Sequence, residues 1–293
     1  MYSYLSLGEN GQLGNQMFQY AALYSISKFN DVAGVIPDID VQLYKAFQDL
    51  SLNRVPKEKI LSDAKWLYEP NEALEFTFDK NFFCVRDNAI LNGFYQSPLY
   101  FEGVKDLILE EFKFSDQVES RCESQYTKIK SNNNSPICAI HFRRSDYLLK
   151  PDFHHNLTWE EYYHPAISQI AHENPGVKFL VFSDDYDWCK NNLPTEFLFH
   201  DSKDQYHDLC LMSKCDLHII ANSSFSWWGA YLANNNNKKS VIAPGRWFGK
   251  SGPLTWNTIW DPRWRVVGVN NPMTELFKSK NVMSIIHSCK IKD

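Results

Sequence analysis

Short apolar runs, each followed at once by a polar cluster, recur along this chain. Ile137-Cys138-Ala139-Ile140 runs into His141-Phe142-Arg143-Arg144-Ser145-Asp146-Tyr147, and Val177 to Phe182 runs into Ser183-Asp184-Asp185. Leu217 to Ala221 runs into Asn222-Ser223-Ser224-Phe225-Ser226, and near the start Tyr4 to Leu7 runs into Gly8 to Asn15. Runs of this kind read as strands buried on both faces of a parallel sheet. Stretches between them carry helical spacing. Phe18, Ala21, Ala22, Ser25, Ile26 and Phe29 predict a helix from about Asn15 to Lys28. Further helices are predicted over Thr158 to His172 (Thr158 and Glu161 forming a capping box), Tyr186 to Asn192, Gln205 to Lys214 and Phe225 to Asn234. Strands are predicted at Phe197 to Phe199 and Ser240 to Ala243. Strand–helix alternation implies a mostly parallel, doubly wound α/β sheet, in which groups at the carboxyl ends of the strands line a ligand crevice.

Residues 38 to 130 are less regular, with helical stretches at Val41 to Leu50 and Lys105 to Phe112 and a turn at Asn92-Gly93. The polar run from Lys130 to Pro136 is the best linker, so the expected domains are 1–135 and 136–293. A chain of 293 residues, 44% apolar, has material for one large or two ordinary cores. Its net charge of −5 argues against a nucleic-acid binder, so any phosphate grip is a local basic pocket. Seven scattered cysteines show no C-x-x-C and no zinc spacing; Cys138, Cys210 and Cys215 read as buried thiols, and the set fits a reducing cytosol. No signal peptide and no apolar run of membrane-spanning length is visible. The expected location is cytoplasmic. The tail Phe277 to Lys292 mixes lysines with Val282, Met283, Ile285 and Ile286, so contact with the inner face of a membrane is at most peripheral.

The strand-end clusters carry the candidate chemistry. Arg143 and Arg144 are adjacent, so on extended backbone they point to opposite sides; one reaches the crevice and the other pairs with a carboxylate such as Asp146. A guanidinium fork matches phosphate oxygens bidentately. Ser223, Ser224 and Ser226 open a helix, where an N-cap and an anion site coincide. Asp184 and Asp185 are adjacent, and their readings are a helix cap, a ribose acceptor or, least favoured, a metal site. Asp208 reads as a solvated helix charge or as an acceptor for guanine N1–H and N2. Gly11-Gln12-Leu13-Gly14 is not a dinucleotide fingerprint, and neither a P-loop nor G-x-S-x-G occurs.

Together, Gly11-x-Leu13-Gly14-Asn15-Gln16-Met17-Phe18-Gln19-Tyr20-Ala21, His141-x-Arg143-Arg144-x-Asp146-Tyr147, Phe182-Ser183-Asp184-Asp185 and Ser223-Ser224-Phe225-Ser226-Trp227-Trp228-Gly229-Ala230 resemble the α-1,2-fucosyltransferases of glycosyltransferase family 11. They occur in the family's order, and the short form resembles bacterial members that build O-antigen or capsule oligosaccharides. The resemblance implies a GT-B architecture, two Rossmann-like halves facing a central cleft. It also implies GDP-β-L-fucose as donor, a galactose-terminated oligosaccharide as acceptor, inversion at the anomeric carbon, and neither metal nor other cofactor. The first domain would then be acceptor-side and the second donor-binding. Arg143 would hold the β-phosphate and His141 would sit against guanosine, with Arg144 and Asp184 in the same donor site. Asp208 would read guanine, Ser223, Ser224 and Phe225 would flank the phosphates, and Gly11, Gly14 and Asn15 would approach from the other domain. Gln12 departs from the family's more usual glycine.

By that resemblance Arg143, His141 and Asp146 form the catalytic set. The base that removes the acceptor proton stays open among Asp146, His154, His155 and Glu160. Acceptor choice is expected in residues 30 to 130 and in the loop Lys150 to Trp159. The alternatives are another nucleotide-sugar transferase with the same phosphate grip, or a non-catalytic glycan-binding protein using its aromatic surface.

Overall fold

A computed structural model describes residues 1–70, 76–131, 135–200, 202, 204–233 and 241–278. The chain forms two compact units. One comprises Met1–Ser115, Thr255–Pro262 and the segment from Pro272 on; the other comprises Asp116–Leu254 and Arg263–Asn271. The division thus falls at 115/116, not at 135/136. The helix Asp116–Ser131 belongs to the second unit because it packs on the helix Gln205–Lys214. Lys214 pairs there with Glu119 and, at 3.1 Å, with Glu123, while Cys122 is fully buried. Asn132 to Asn134, the centre of the expected linker, lie outside the described residues, as do Asn234 to Ser240 and the tail beyond Lys278.

In the first unit β1 (Tyr2–Ser3), β2 (Gly34–Pro37), β3 (Asn53–Val55), β4 (Trp66–Tyr68) and β5 (Ala89–Leu91) form a parallel sheet in the order β3-β2-β1-β5-β4. The first strand is Tyr2–Ser3, earlier than expected, and Tyr4 to Leu7 form a turn whose Tyr4 and Leu7 are wholly buried. Those side chains serve the core without pairing in the sheet. The long helix Leu13–Asn30 is buried along most of its length. Gly11 just before it has φ +93°, and a Cβ there would lie 2.1 Å from Asn15 Nδ2. A glycine is therefore required for this turn. Val41 to Leu50 shrinks to a helix of four residues, Leu43–Ala46.

In the second unit β6 (Ile137–Phe142), β7 (Lys178–Ser183), β8 (Leu198–Phe199), β9 (Leu217–Ile219), β10 (Val241–Pro244) and β11 (Arg265–Val267) form a second parallel sheet in the order β11-β10-β9-β6-β7-β8. The chain leaves β6 toward β7 and β8, then returns to β9 on the other side. The strand order therefore reverses between β6 and β9, which is where open α/β sheets bind ligands. One face of β6 and β7 packs Phe142, Phe179 and Val181 against Tyr163, Ala166, Ile170 and Cys189. Fully burying each large apolar side chain of this set contributes about 1.5–3 kcal/mol. The helix after the loop opens with a π-type turn, Trp159–Tyr163, before His164–Glu173, and Thr158 Oγ1 accepts from Glu161 N at 3.1 Å as the capping reading expected. Tyr162 donates to the carbonyls of Ile220 (2.5 Å) and Ile242 (2.9 Å), tying the ends of β9 and β10 together. Trp227 and Trp228 are core residues with no exposed surface.

Candidate active site

The carboxyl end of β6 sorts its residues by parity. His141 and Phe142 lie on opposite faces, as alternation in a strand demands. Phe142 stacks on Tyr163 at 4.2 Å. On that side Arg144 lies 3.5 Å over the Trp188 ring and donates from Nε to Asp185 at 3.2 Å. His141 faces the other way, 5.9 Å from the Phe225 ring.

A row of groups runs along the His141 face. His141 is in register with Phe182 of β7, so the two share a side. The Phe182 ring lies 4.8 Å from that of His200, whose Nε2 is 3.7 Å from Asp208 Oδ1. Asp208 sits on the first turn of Gln205–Lys214, a helix capped by Asp204. It is no solvated helix charge: burial raises its carboxyl to about 7. His141 is pushed down to about 3, first by burial and then by the nearby Arg143 charge, so its ring is neutral. His141 Nδ1, Arg143 Nε and Asp208 Oδ1 are buried polar atoms with no hydrogen-bond partner among the described residues. Buried polar groups are ordinarily satisfied, and leaving one unmade costs about 1–3 kcal/mol, which makes these three candidates for contact with a ligand.

Arg143 is not free, as the sequence suggested one arginine would be. Its guanidinium meets Asp146 at 2.7 Å and Asp184 at 3.3 Å, because Asp146 follows on the short helix Ser145–Leu149 at i+3. Asp184 also accepts from the backbone N–H of Arg144 (2.9 Å) and Ser145 (3.2 Å). Its carboxylate is thus committed to the turn that shapes the end of β6. Asp185 caps Tyr186–Asn192 through Trp188 N at 3.1 Å, the bland reading of that pair. Across the switch point, Ser223 occupies the N-cap position of Ser224–Leu232, yet its hydroxyl makes no capping bond. A helix start of this kind is where backbone donors point toward an anion. Asn222 Nδ2 bonds the carbonyls of His155 (2.9 Å) and Trp247 (2.7 Å), and Tyr147 donates to Asn222 O at 2.8 Å.

Arg143, His141, Asp208, Asp146, Asp184, Arg144, Ser223, Ser224 and Phe225 all belong to the second unit, whereas Gly11, Gly14 and Asn15 belong to the first. There, Asn15 Oδ1 accepts from Gln96 Nε2 at 2.8 Å, and Gln12 Oε1 accepts from Gln42 Nε2 at 2.7 Å. His200 and Phe182, which the structure places beside the candidate groups, were not singled out from the sequence as site residues. Both stand at strand ends, and the strand-end criterion that singled out His141 would have found them. Among the described residues, His200, His207 and Asp208 bring three potential metal-ligand atoms within 4.8 Å of one another. Their carboxylate is the same one that ends the row of groups on the His141 face.

The model of glycosyl transferase family 11 matches residues 4–258. The chain belongs to that family. It is 30% identical over 292 residues to the Escherichia coli O-antigen biosynthesis glycosyltransferase WbnK, covering 85% of this chain and 95% of the relative. It is 29% identical over 273 residues to an E. coli alpha-1,2-colitosyltransferase, covering 81% and 90%. Human galactoside alpha-(1,2)-fucosyltransferase 1 is 26% identical over 249 residues, covering 78% of this chain and 65% of the human protein. Among solved structures, the α-1,6-fucosyltransferase NodZ co-crystallised with GDP aligns with a TM-score of 0.51 at 13% identity, over 78% of this chain and 91% of NodZ. The fold of this family 11 glycosyltransferase is α/β of the GT-B type, with two Rossmann-like units. Among the described residues, no helix is long and apolar enough to cross a membrane.

Proposed function

We propose that this enzyme is an inverting α-1,2-fucosyltransferase that moves L-fucose from GDP-β-L-fucose to O2 of a terminal galactose in an O-antigen or capsule oligosaccharide. The observation that carries the reading is the set of buried groups without a hydrogen-bond partner among the described residues, His141 Nδ1 and Arg143 Nε at the end of β6 and Asp208 Oδ1 farther along the row through β7 and β8. A guanine N1–H and N2 amino group satisfy a carboxylate, and a diphosphate satisfies a guanidinium. The names of the relatives support the reading: both print an α-1,2 linkage, one with colitose and the other with fucose, and the second prints a galactoside.

In this reading Asp208 reads guanine, His141 and Phe225 border the nucleoside, and Arg143 with the start of Ser224–Leu232 takes the charge that develops on GDP. Asp146 and Asp184 hold Arg143 in place, and Arg144 on Trp188 braces the turn from the opposite face. As the bond from the anomeric carbon to phosphate lengthens, the sugar gains oxocarbenium character and the acceptor oxygen attacks from the far side. Arg143 supplies cationic charge at the phosphates without a metal. Gly11, Gly14 and Asn15 serve the sugar end of the donor, and the enzyme works in the cytoplasm.

Thermal unfolding with GDP, UDP and ADP tests the base, because a ligand at 100 times its Kd adds about 2.7 kcal/mol. Transfer from GDP-fucose and from GDP-colitose to galactosyl disaccharides tests the sugar. Stabilisation by GDP alone, with a fucosylated product resistant to periodate between O2 and O3, is expected. Equal response to all three nucleotides overturns the reading.

A further inference from the structure

Residues 149–154 and Ser251 line a cavity of about 380 Å³ in the second unit. It is a built feature. Ser251 N donates to Asp152 O and Gly249 N to Phe153 O, both at 2.8 Å, and His154 pairs with Phe248 as an antiparallel bridge. Two glycines allow this approach: a Cβ at Gly249 would lie 2.4 Å from Asp152 O, and one at Gly252 would lie 2.7 Å from Phe153 O. The same frame is joined to the phosphate-side segment, since Asn222 holds the carbonyls of His155 and Trp247.

His154 stands at the end of this cavity toward the arginine turn. Its ring stacks on Tyr147 at 3.8 Å and 6°, and the Phe153 edge meets it at 4.9 Å. The Tyr147 ring in turn lies 5.5 Å from the Arg143 guanidinium. The imidazole is thus fixed in orientation and partly exposed, one ring away from the group proposed to hold the leaving phosphate. The other candidate bases are engaged or turned elsewhere. Asp146 is ion-paired to Arg143, and taking up a proton would break that pair. His155 Nε2 is bonded to Glu161 at 3.0 Å. Glu160 is exposed on the first turn of the next helix and does not line the cavity.

We infer that this cavity receives the acceptor sugar and that His154 is the general base of the transfer, an inference that rests on the functional reading above. Acceptor O–H gives its proton to a ring nitrogen of His154. The oxygen bonds to the anomeric carbon as the bond from that carbon to phosphate breaks, and the electron pair of that bond leaves with GDP. Phe153, exposed at the rim, offers its face to the sugar, and Lys150, Asp152 and Ser251 supply polar contacts. Around His154 the charged groups are Asp146, Arg143 and Lys150, with Asp152 paired to Lys250 on the rim and Glu161 paired to His155. Burial lowers the His154 imidazole from its usual range, so it is neutral and able to accept a proton at pH 7.

His154→Gln and Phe153→Ala are compared with the parent enzyme. A well-placed general base contributes about a hundredfold or more to rate. His154→Gln is expected to lower kcat by at least about that factor, with the KM for GDP-fucose and stabilisation by GDP unchanged. It should also abolish the loss of kcat that the parent shows as pH falls through the titration of the imidazole. Phe153→Ala is expected to raise the acceptor KM about tenfold with donor KM unchanged. His154→Gln turnover within about threefold of the parent, with the same pH profile, overturns the base assignment, and an unaltered acceptor KM in Phe153→Ala overturns the sugar site. A parent that neither binds GDP nor transfers sugar fails earlier, at the functional reading itself.

Discussion

In the proposed reading, where Asp208 reads guanine, this residue couples donor binding, pH and stability in a way that one substitution separates. Its carboxyl is raised from the ordinary 3.8 to about 7 by burial, yet accepting two hydrogens from guanine requires the ionised form. Proton and base therefore compete. For a single site at about 7, the apparent Kd is raised by roughly 10% at pH 8 and by about a hundredfold at pH 5, or about 2.7 kcal/mol. Stability runs in the opposite direction. The unfolded chain ionises this group above 3.8, whereas the folded chain keeps it protonated up to about 7. The folded state binds the extra proton in that window, so stability falls as pH rises through it and the whole deficit is present above 7. Each unit of difference is worth about 1.4 kcal/mol, so the deficit is of the order of several kcal/mol. Asp208→Asn keeps the shape and removes the charge. It should therefore melt at a higher temperature than the parent at pH 8 while binding GDP more weakly by about 1–3 kcal/mol. Calorimetric titrations of both proteins with GDP at pH 5, 6, 7 and 8 test this. The loss common to both belongs to the phosphate of GDP, and the excess in the parent to Asp208. A parent whose GDP affinity changes with pH no more than that of Asp208→Asn, or a variant that melts lower at pH 8, would refute the argument.

Arg143→Ala should lower transfer about a hundredfold or more with the fold intact by circular dichroism, and Arg143→Lys should recover only part, because an ammonium lacks the paired fork. Transfer should persist in excess EDTA, measured by product formation with and without added Mn²⁺; loss on chelation and rescue by metal would make His200, His207 and Asp208 the first ligands to test. Gly229→Ala should lower the melting temperature, since its Cβ would fall 2.3 Å from Met212 Sδ between the two packed helices; overpacking of this kind costs about 1–3 kcal/mol.

Legibility in the sequence followed burial. β6, β7, β9 and β10 are covered on both faces, so they read as continuous apolar runs, and the polar residues after them mark the strand ends directly. The first unit gave less. Its strands β3 and β4 are three residues long and carry exposed Arg54, Trp66 and Leu67, so neither alternation nor a continuous apolar run identifies them. The unit boundary was misplaced because the helix Asp116–Ser131 is mostly polar, burying Val118 and Cys122, and resembles the linker that follows it. That Arg143 and Arg144 part company was foreseen from strand parity. The pairing of one arginine with Asp146 was foreseen too, but the share of Asp184 and Asp185 was not, because they come from a neighbouring strand some forty residues later. The strand Arg265–Val267 gave no signal of its own, its three residues being only half-buried at the sheet edge.

Main-chain bonds, together with one asparagine, hold the 152–155 and 247–251 segments together. Because the shape of that frame depends little on the side chains of Leu149, Lys150, Asp152 and Phe153, these positions can be exchanged as a set without re-registering the strand ends. If the cavity receives the acceptor as inferred, a library confined to them, with Asn222, Gly249 and Gly252 left untouched, would vary what the enzyme glycosylates while leaving the proposed donor site unchanged. On that inference natural descent has a low-risk route to new acceptors: the exposed Leu149 and Phe153 can drift, while the glycines beneath them cannot.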